Sequence, residues 1–170
     1  MHKVIIAAIA TVVVGAANAS NWHYSTQEDK MTDKEIKHAI SESDNSISLD
    51  FPYQGRNHGN LNVRRHPQWG TDFMFYVDKG QLSCGVYDCD ATIRFDNDKP
   101  MKIKANRPAD RDSTLMFLKP AGSLISRASK ANRIIIQVGM YRSGQQTFEF
   151  KFEKPLEWAI SSPSKNRKRK

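Results

Sequence analysis

Gln146-Thr147-Phe148-Glu149-Phe150-Lys151-Phe152-Glu153 decides the fold class. Three phenylalanines fall on one face and charged side chains on the other, a period of two that only a half-buried strand gives. Ser143-Gly144 in front of it is a turn, and before that Arg133 to Met140 is a run rich in Ile and Val, so the two predict an antiparallel hairpin.

The same punctuation recurs toward the N-terminus. Ser113 to Leu118 and Met101 to Lys104 read as strands, with Met101 and Ile103 inward. Cys89 to Phe95 carries Ala91, Ile93 and Phe95 on one face, and Gln81 to Cys84 is expected to pair with it across Gly85 to Asp88. Thr71 to Lys79 has apolar residues on both faces, which predicts a central strand covered on both sides. Leu61 to Arg65 follows the alternation, with Leu61 and Val63 inward. Pro52 to Gly59, with its Pro, Gly and Asn, reads as a loop. Two further strands are expected at Glu35 to Glu42, around Ile36, His38 and Ile40, and at Ser46 to Phe51, with Ile47, Leu49 and Phe51 on one face. Trp22 to Met31 opens the sheet. One helix is predicted over about 121–131, where Leu124, Ile125 and Ala128 share a face. The expectation is an all-β chain of about ten strands, an antiparallel β-sandwich or curled barrel with one short helix, folded as a single domain over 20–160.

The ends point to export. Lys3 precedes an apolar run from Val4 to Ala17, and Ala17-Asn18-Ala19 has the small-x-small pattern of a cleavage site, so residues 1–19 read as a signal peptide. The run falls short of the ~20 apolar residues of a membrane span, and no later stretch approaches that length. Cys84 and Cys89, the only cysteines, are expected to pair in an oxidising compartment, periplasmic or secreted. A zinc knuckle or a redox Cys-x-x-Cys would want closer spacing.

Charge is uneven along the chain. Of the net +8, one charge sits at Lys3 and five at Lys165, Arg167, Lys168, Arg169 and Lys170, so the body carries +2. Residues 161–170 therefore read as a disordered, solvated basic tail, able to touch anionic surfaces by unspecific Coulomb attraction. A near-neutral body argues against a specific nucleic-acid site.

Chemistry-bearing motifs are sparse. His23, His38, His58 and His66 lack ligand spacing, and Arg56, Arg64 and Arg65 around the last two oppose a cation, so no metal or cofactor is expected. Asp96 and Asp98 lack the further acidic positions of a calcium loop. No Gly-x-Ser-x-Gly elbow occurs, and paired cysteines leave no thiol nucleophile. No catalytic residue is assigned. The expected contact region is Tyr53 to Asn60 with neighbouring Arg64, Arg65, His66 and Trp69, because an aromatic beside arginines suits an interface hot spot.

Several stretches carry a family resemblance. Trp22-His23-Tyr24-Ser25 leading to Asp29-Lys30-Met31-Thr32-Asp33, Leu61-Asn62-Val63-Arg64-Arg65, Arg94-Phe95-Asp96, and Phe148-Glu149-Phe150 followed by Leu156 and Trp158 resemble the small periplasmic, type VI secretion-associated TagO (VasI)-like proteins and related phage or mobile-element proteins. Position 65, a cysteine in that family, is arginine here, and the cysteines lie at 84 and 89. The resemblance implies an exported accessory protein that binds an envelope protein or polymer and turns nothing over. The alternatives are an exported hydrolase inhibitor of the lysozyme-inhibitor type and an envelope hydrolase.

Overall fold

Phe148 and Phe150 are fully buried, and the strand that carries them is the last of nine among the described residues. The structure, a computed structural model, describes residues 21–85 and 89–158. The signal-peptide and basic-tail expectations therefore fall outside the described residues. The strands are β1 (His23–Asp29), β2 (Lys34–Leu49), β3 (Gly55–His66), β4 (Gly70–Val77), β5 (Cys89–Phe95), β6 (Met101–Asn106), β7 (Leu115–Lys119), β8 (Arg133–Met140) and β9 (Gly144–Lys151), with one helix, α1 (Ala121–Ala128), between β7 and β8. They form one antiparallel sheet in the order β1-β2-β3-β4-β7-β6-β5-β8-β9.

The sheet curls until its ends meet. β2 takes β1 along its first half, paired from His23–Ile40 to Asp29–Lys34. Between Glu42 and Ser46 the register with β3 shifts, and there β2 meets β9 through side chains instead of a backbone ladder. Asn45 Nδ2 donates to the Thr147 carbonyl (2.9 Å), Asn45 Oδ1 accepts the Glu149 N–H (2.8 Å), and the Asp44 carboxylate accepts the Lys151 N–H (2.8 Å). Trp22 stacks on Phe152 along the same seam, with ring centroids 4.9 Å apart. The ladder stays open while the edge of β9 is covered, which removes a template for unwanted strand pairing.

One core fills the curl. Leu61 and Val63 of β3, Phe73 and Phe75 of β4, Ile93 of β5 and Ile134 and Ile136 of β8 are all fully buried in it, and Leu124, Ile125 and Ala128 join from α1, which packs on β4 and β7. β4 is covered on both faces as its composition predicts, since Met74 on the outer face is also buried. Cys84 and Cys89 form the expected disulfide.

Several expectations are corrected. The two predicted strands between residues 35 and 51 are one strand with a bulge, and Phe51 lies beyond its end, 80% exposed. The inward face of β2 carries Ala39, Ser41 and Ser43, not Ile36, His38 and Ile40. The predicted loop over 52–59 is a turn only to Gln54. From Gly55 the chain is β3, because its polar residues are spent inside the fold. Asn57, fully buried, accepts the Lys79 N–H (2.8 Å) and donates to the Lys79 carbonyl (3.0 Å). Gly59 is glycine because a Cβ would stand 2.7 Å from Phe148 Cγ and 2.8 Å from Phe75 Cε2.

The segment from Gln81 to Cys84 does not pair with β5, whose two edges are already taken by β6 and β8. Its Leu82 N–H donates to the Ser113 carbonyl and its Ser83 N–H to that of Gly139, so it crosses the end of the barrel. The helix stops at Ala128, short of residue 131, because the Lys130 and Ala131 N–H groups fall back to the carbonyls three residues earlier, Arg127 and Ala128, and the Leu156 N–H also takes the Ala128 carbonyl.

Candidate functional site

Strand alternation separates the four residues singled out in the sequence. Arg64 and His66 leave β3 on the outer face, and the turn from Pro67 to Trp69 returns the Trp69 ring to that face. Gly70 completes the turn at φ +81°, a left-handed conformation that suits glycine. Arg65 points to the opposite face, where its guanidinium lies 5.8 Å from the Trp158 ring. The structure thus assembles Arg64, His66 and Trp69 and places Arg65 elsewhere.

The assembled cluster is rigid. Trp69 stacks on His66 with centroids 3.9 Å apart and planes 20° from parallel. His66 is buried, and its Nδ1 accepts the Gln68 N–H at 3.1 Å. The Arg64 guanidinium donates to Asp72 Oδ2 at 2.6 Å and lies 5.7 Å from the Trp69 ring and 5.9 Å from the Phe117 ring. Asp72 faces Arg64 across the β3–β4 ladder, so the ion pair is a cross-strand pair with both partners largely buried. Beneath an indole that is 64% exposed, the supporting groups are therefore fixed by packing. The same face continues across β2 and β1, where the His38 ring contacts Asn62 Oδ1 and Gln27 Nε2, each at 3.2 Å.

The other sequence candidates have local structural work. His58 Nδ1 contacts the Ser43 carbonyl at 3.1 Å and so braces the β2 bulge. Asp96 Oδ1 accepts the N–H groups of Asn132 and Arg133, and Asp98 pairs with Arg127 at 2.7 Å, which accounts for both as turn residues. Among the described residues no group of three or more His, Cys, Asp or Glu is placed to hold a metal ion.

Burial raises the pKa of the Tyr76 hydroxyl, on the outer face of β4, with smaller upward contributions from Asp78 and Glu42. Burial likewise raises that of Tyr24, whose hydroxyl accepts the Glu157 N–H.

One feature escaped sequence reasoning altogether. A cleft of about 580 Å³ opens at one end of the barrel between the β2–β3 turn, Gly80-Gln81 and the β8–β9 turn. The available signal was aromatic residues in turn segments, Phe51 and Tyr53 beside Pro52 and Tyr141 before Arg142-Ser143-Gly144. Only Tyr53 of the expected contact region lines it.

No protein family, curated protein or solved structure matches the chain.

Proposed function

We propose that this chain is an exported, non-catalytic binding protein of the cell envelope that engages a protein or polymer partner through the outer face around Trp69. The observation that carries the reading is the stacked, exposed Trp69 ring, held by buried His66 and by the Arg64–Asp72 pair. A large aromatic side chain fixed before binding loses little conformational entropy on association, and Trp and Arg are both enriched among hot-spot residues. The Cys84–Cys89 disulfide fits an oxidising compartment, and no helix among the described residues is long and apolar enough to cross a membrane. The resemblance to TagO-like proteins adds an accessory role beside a secretion apparatus.

The test combines fractionation with capture. Epitope-tagged protein is expected in the periplasmic or culture fraction, and wild type should retain an envelope component that Trp69→Ala loses at equal folded amount. Saturable cleavage of peptidoglycan or another envelope polymer by the purified protein would replace this reading with that of a hydrolase.

A further inference from the structure

The cleft at the barrel end lies on residues that the Trp69 face does not use, so either reading can fail alone. From its lining we infer that it is a binding site for a short neutral oligosaccharide. Its volume of about 580 Å³ falls within the ~300–1,000 Å³ typical of small-ligand sites. Of the five exposed large hydrophobic side chains among the described residues, two stand at this cleft: Phe51, 80% exposed, and Tyr141, 57% exposed. Neither ring closes the core, which is floored here by Leu49 and Met140. That floor is tight, since a Cβ on Gly80, at φ +93°, would meet Met140 Cε at 2.8 Å and Leu49 Cδ1 at 2.9 Å.

The polar groups select the ligand class. Asp50 and Arg142 line the same cleft, and neither side chain has a hydrogen bond or ion pair among the described residues. Gln81 Nε2 donates to the Tyr53 hydroxyl at 3.0 Å, which leaves the Tyr53 O–H as a donor and Gln81 Oε1 as an acceptor. The lining therefore presents two acceptors and two donors between flat apolar rings. An anion would meet the Asp50 carboxylate and a cation the Arg142 guanidinium. A wholly apolar ligand would strip water from both charges without replacing it. A sugar ring carries hydroxyls that both donate and accept, and C–H faces that lie on aromatic rings, so it satisfies every group at once.

Arg142 adds a backbone observation. It holds φ +58°, a left-handed conformation costly for a residue with a Cβ, at a turn position where glycine or asparagine is usual. Its guanidinium lies 5.3 Å from the Tyr141 ring, so the turn delivers a cation and a ring to the cleft together.

The test is NMR titration of the isotope-labelled full mature chain with chitotriose, maltotriose and cellotriose, with indole and inorganic phosphate as the apolar and anionic probes. At least one sugar should shift the amides of residues 50–53, 80–81 and 140–143 saturably, with a Kd tighter than about 10 mM. Tyr141→Ala and Phe51→Ala should each weaken that binding at least tenfold with the remaining spectrum unchanged, and Trp69→Ala should leave it intact. No saturable shift at these residues with any of the three sugars would overturn the proposal. So would binding of indole or phosphate alone, or sugar shifts that survive both cleft substitutions.

Discussion

Asn45 and Glu149, 104 residues apart in sequence, are joined as neighbouring strands would be: the Asn45 carboxamide oxygen accepts the Glu149 N–H at 2.8 Å. Its amide nitrogen donates to the Thr147 carbonyl at 2.9 Å, so one side chain covers both polar groups that β9 presents there. The β2 bulge makes this possible by turning Asp44 and Asn45 out of the β3 ladder and toward β9. A second bulge contact comes from inside, where the Ser43 hydroxyl donates to the Asn45 carbonyl at 2.6 Å and accepts the Gly59 N–H at 3.0 Å. The seam is thus tied to β3 as well as to β9.

Asn45→Ala removes both contacts to β9 and should lower stability by about 1–3 kcal/mol, read as an earlier midpoint in urea with an unchanged slope. The uncovered β9 edge should also raise concentration-dependent association, measurable by light scattering. An unaltered midpoint would show that water replaces the carboxamide at no net loss.

Gly59→Ala places a methyl group against the fully buried Phe148 and Phe75 rings, which themselves pack with centroids 5.4 Å apart. Overpacking should cost about 1–3 kcal/mol in thermal or chemical denaturation. Gly70→Ala meets no atom within 4 Å, and its effect should come from φ +81° alone. Equal stability of the wild type and Gly59→Ala would contradict the packing described for β3.

The β1–β2 turn should be acid-sensitive. Asp29 accepts the Met31 N–H at 3.0 Å and the Thr32 hydroxyl at 2.8 Å, and these two bonds, the Met31 bond first, hold its carboxyl below the usual 3.8. A carboxylate with a lowered folded pKa contributes order that is present above its unfolded value and lost as pH falls through the folded one. NMR titration should place the Asp29 midpoint below that of an unstructured peptide, with the Met31 and Thr32 amide signals moving in step. A midpoint at the peptide value would remove the carboxylate from the account of the turn.

β9 was legible because its inward residues Phe148 and Phe150 are large and its outward Glu149 and Lys151 charged, so composition and geometry agree. β2 was misread for the opposite reason. Its inward residues Ala39, Ser41 and Ser43 are small or polar, while Ile36 and Ile40 sit half-covered on the outside. The start of β3 was hidden because Gly and Asn mark turns by propensity. Here Gly59 makes room for two rings, and Asn57 bonds the Lys79 backbone. Arg64, His66 and Trp69 could be picked out by residue type. The exclusion of Arg65 follows from alternation once β3 is accepted as a strand. The cleft was out of reach, because it joins three segments far apart in sequence that only the curled sheet brings together.

The central claim is that the outer face around Trp69 is where a partner docks, and in-cell photo-cross-linking tests it most directly. A photoreactive phenylalanine analogue is placed at position 69, and in a control at Lys102, an exposed position on β6, three strands along the sheet from β3. The account predicts a discrete envelope adduct from position 69, absent from position 102 and lost when unlabelled wild-type protein competes. Equal adducts from both positions, or none from 69 in cells that export the folded protein, would contradict it.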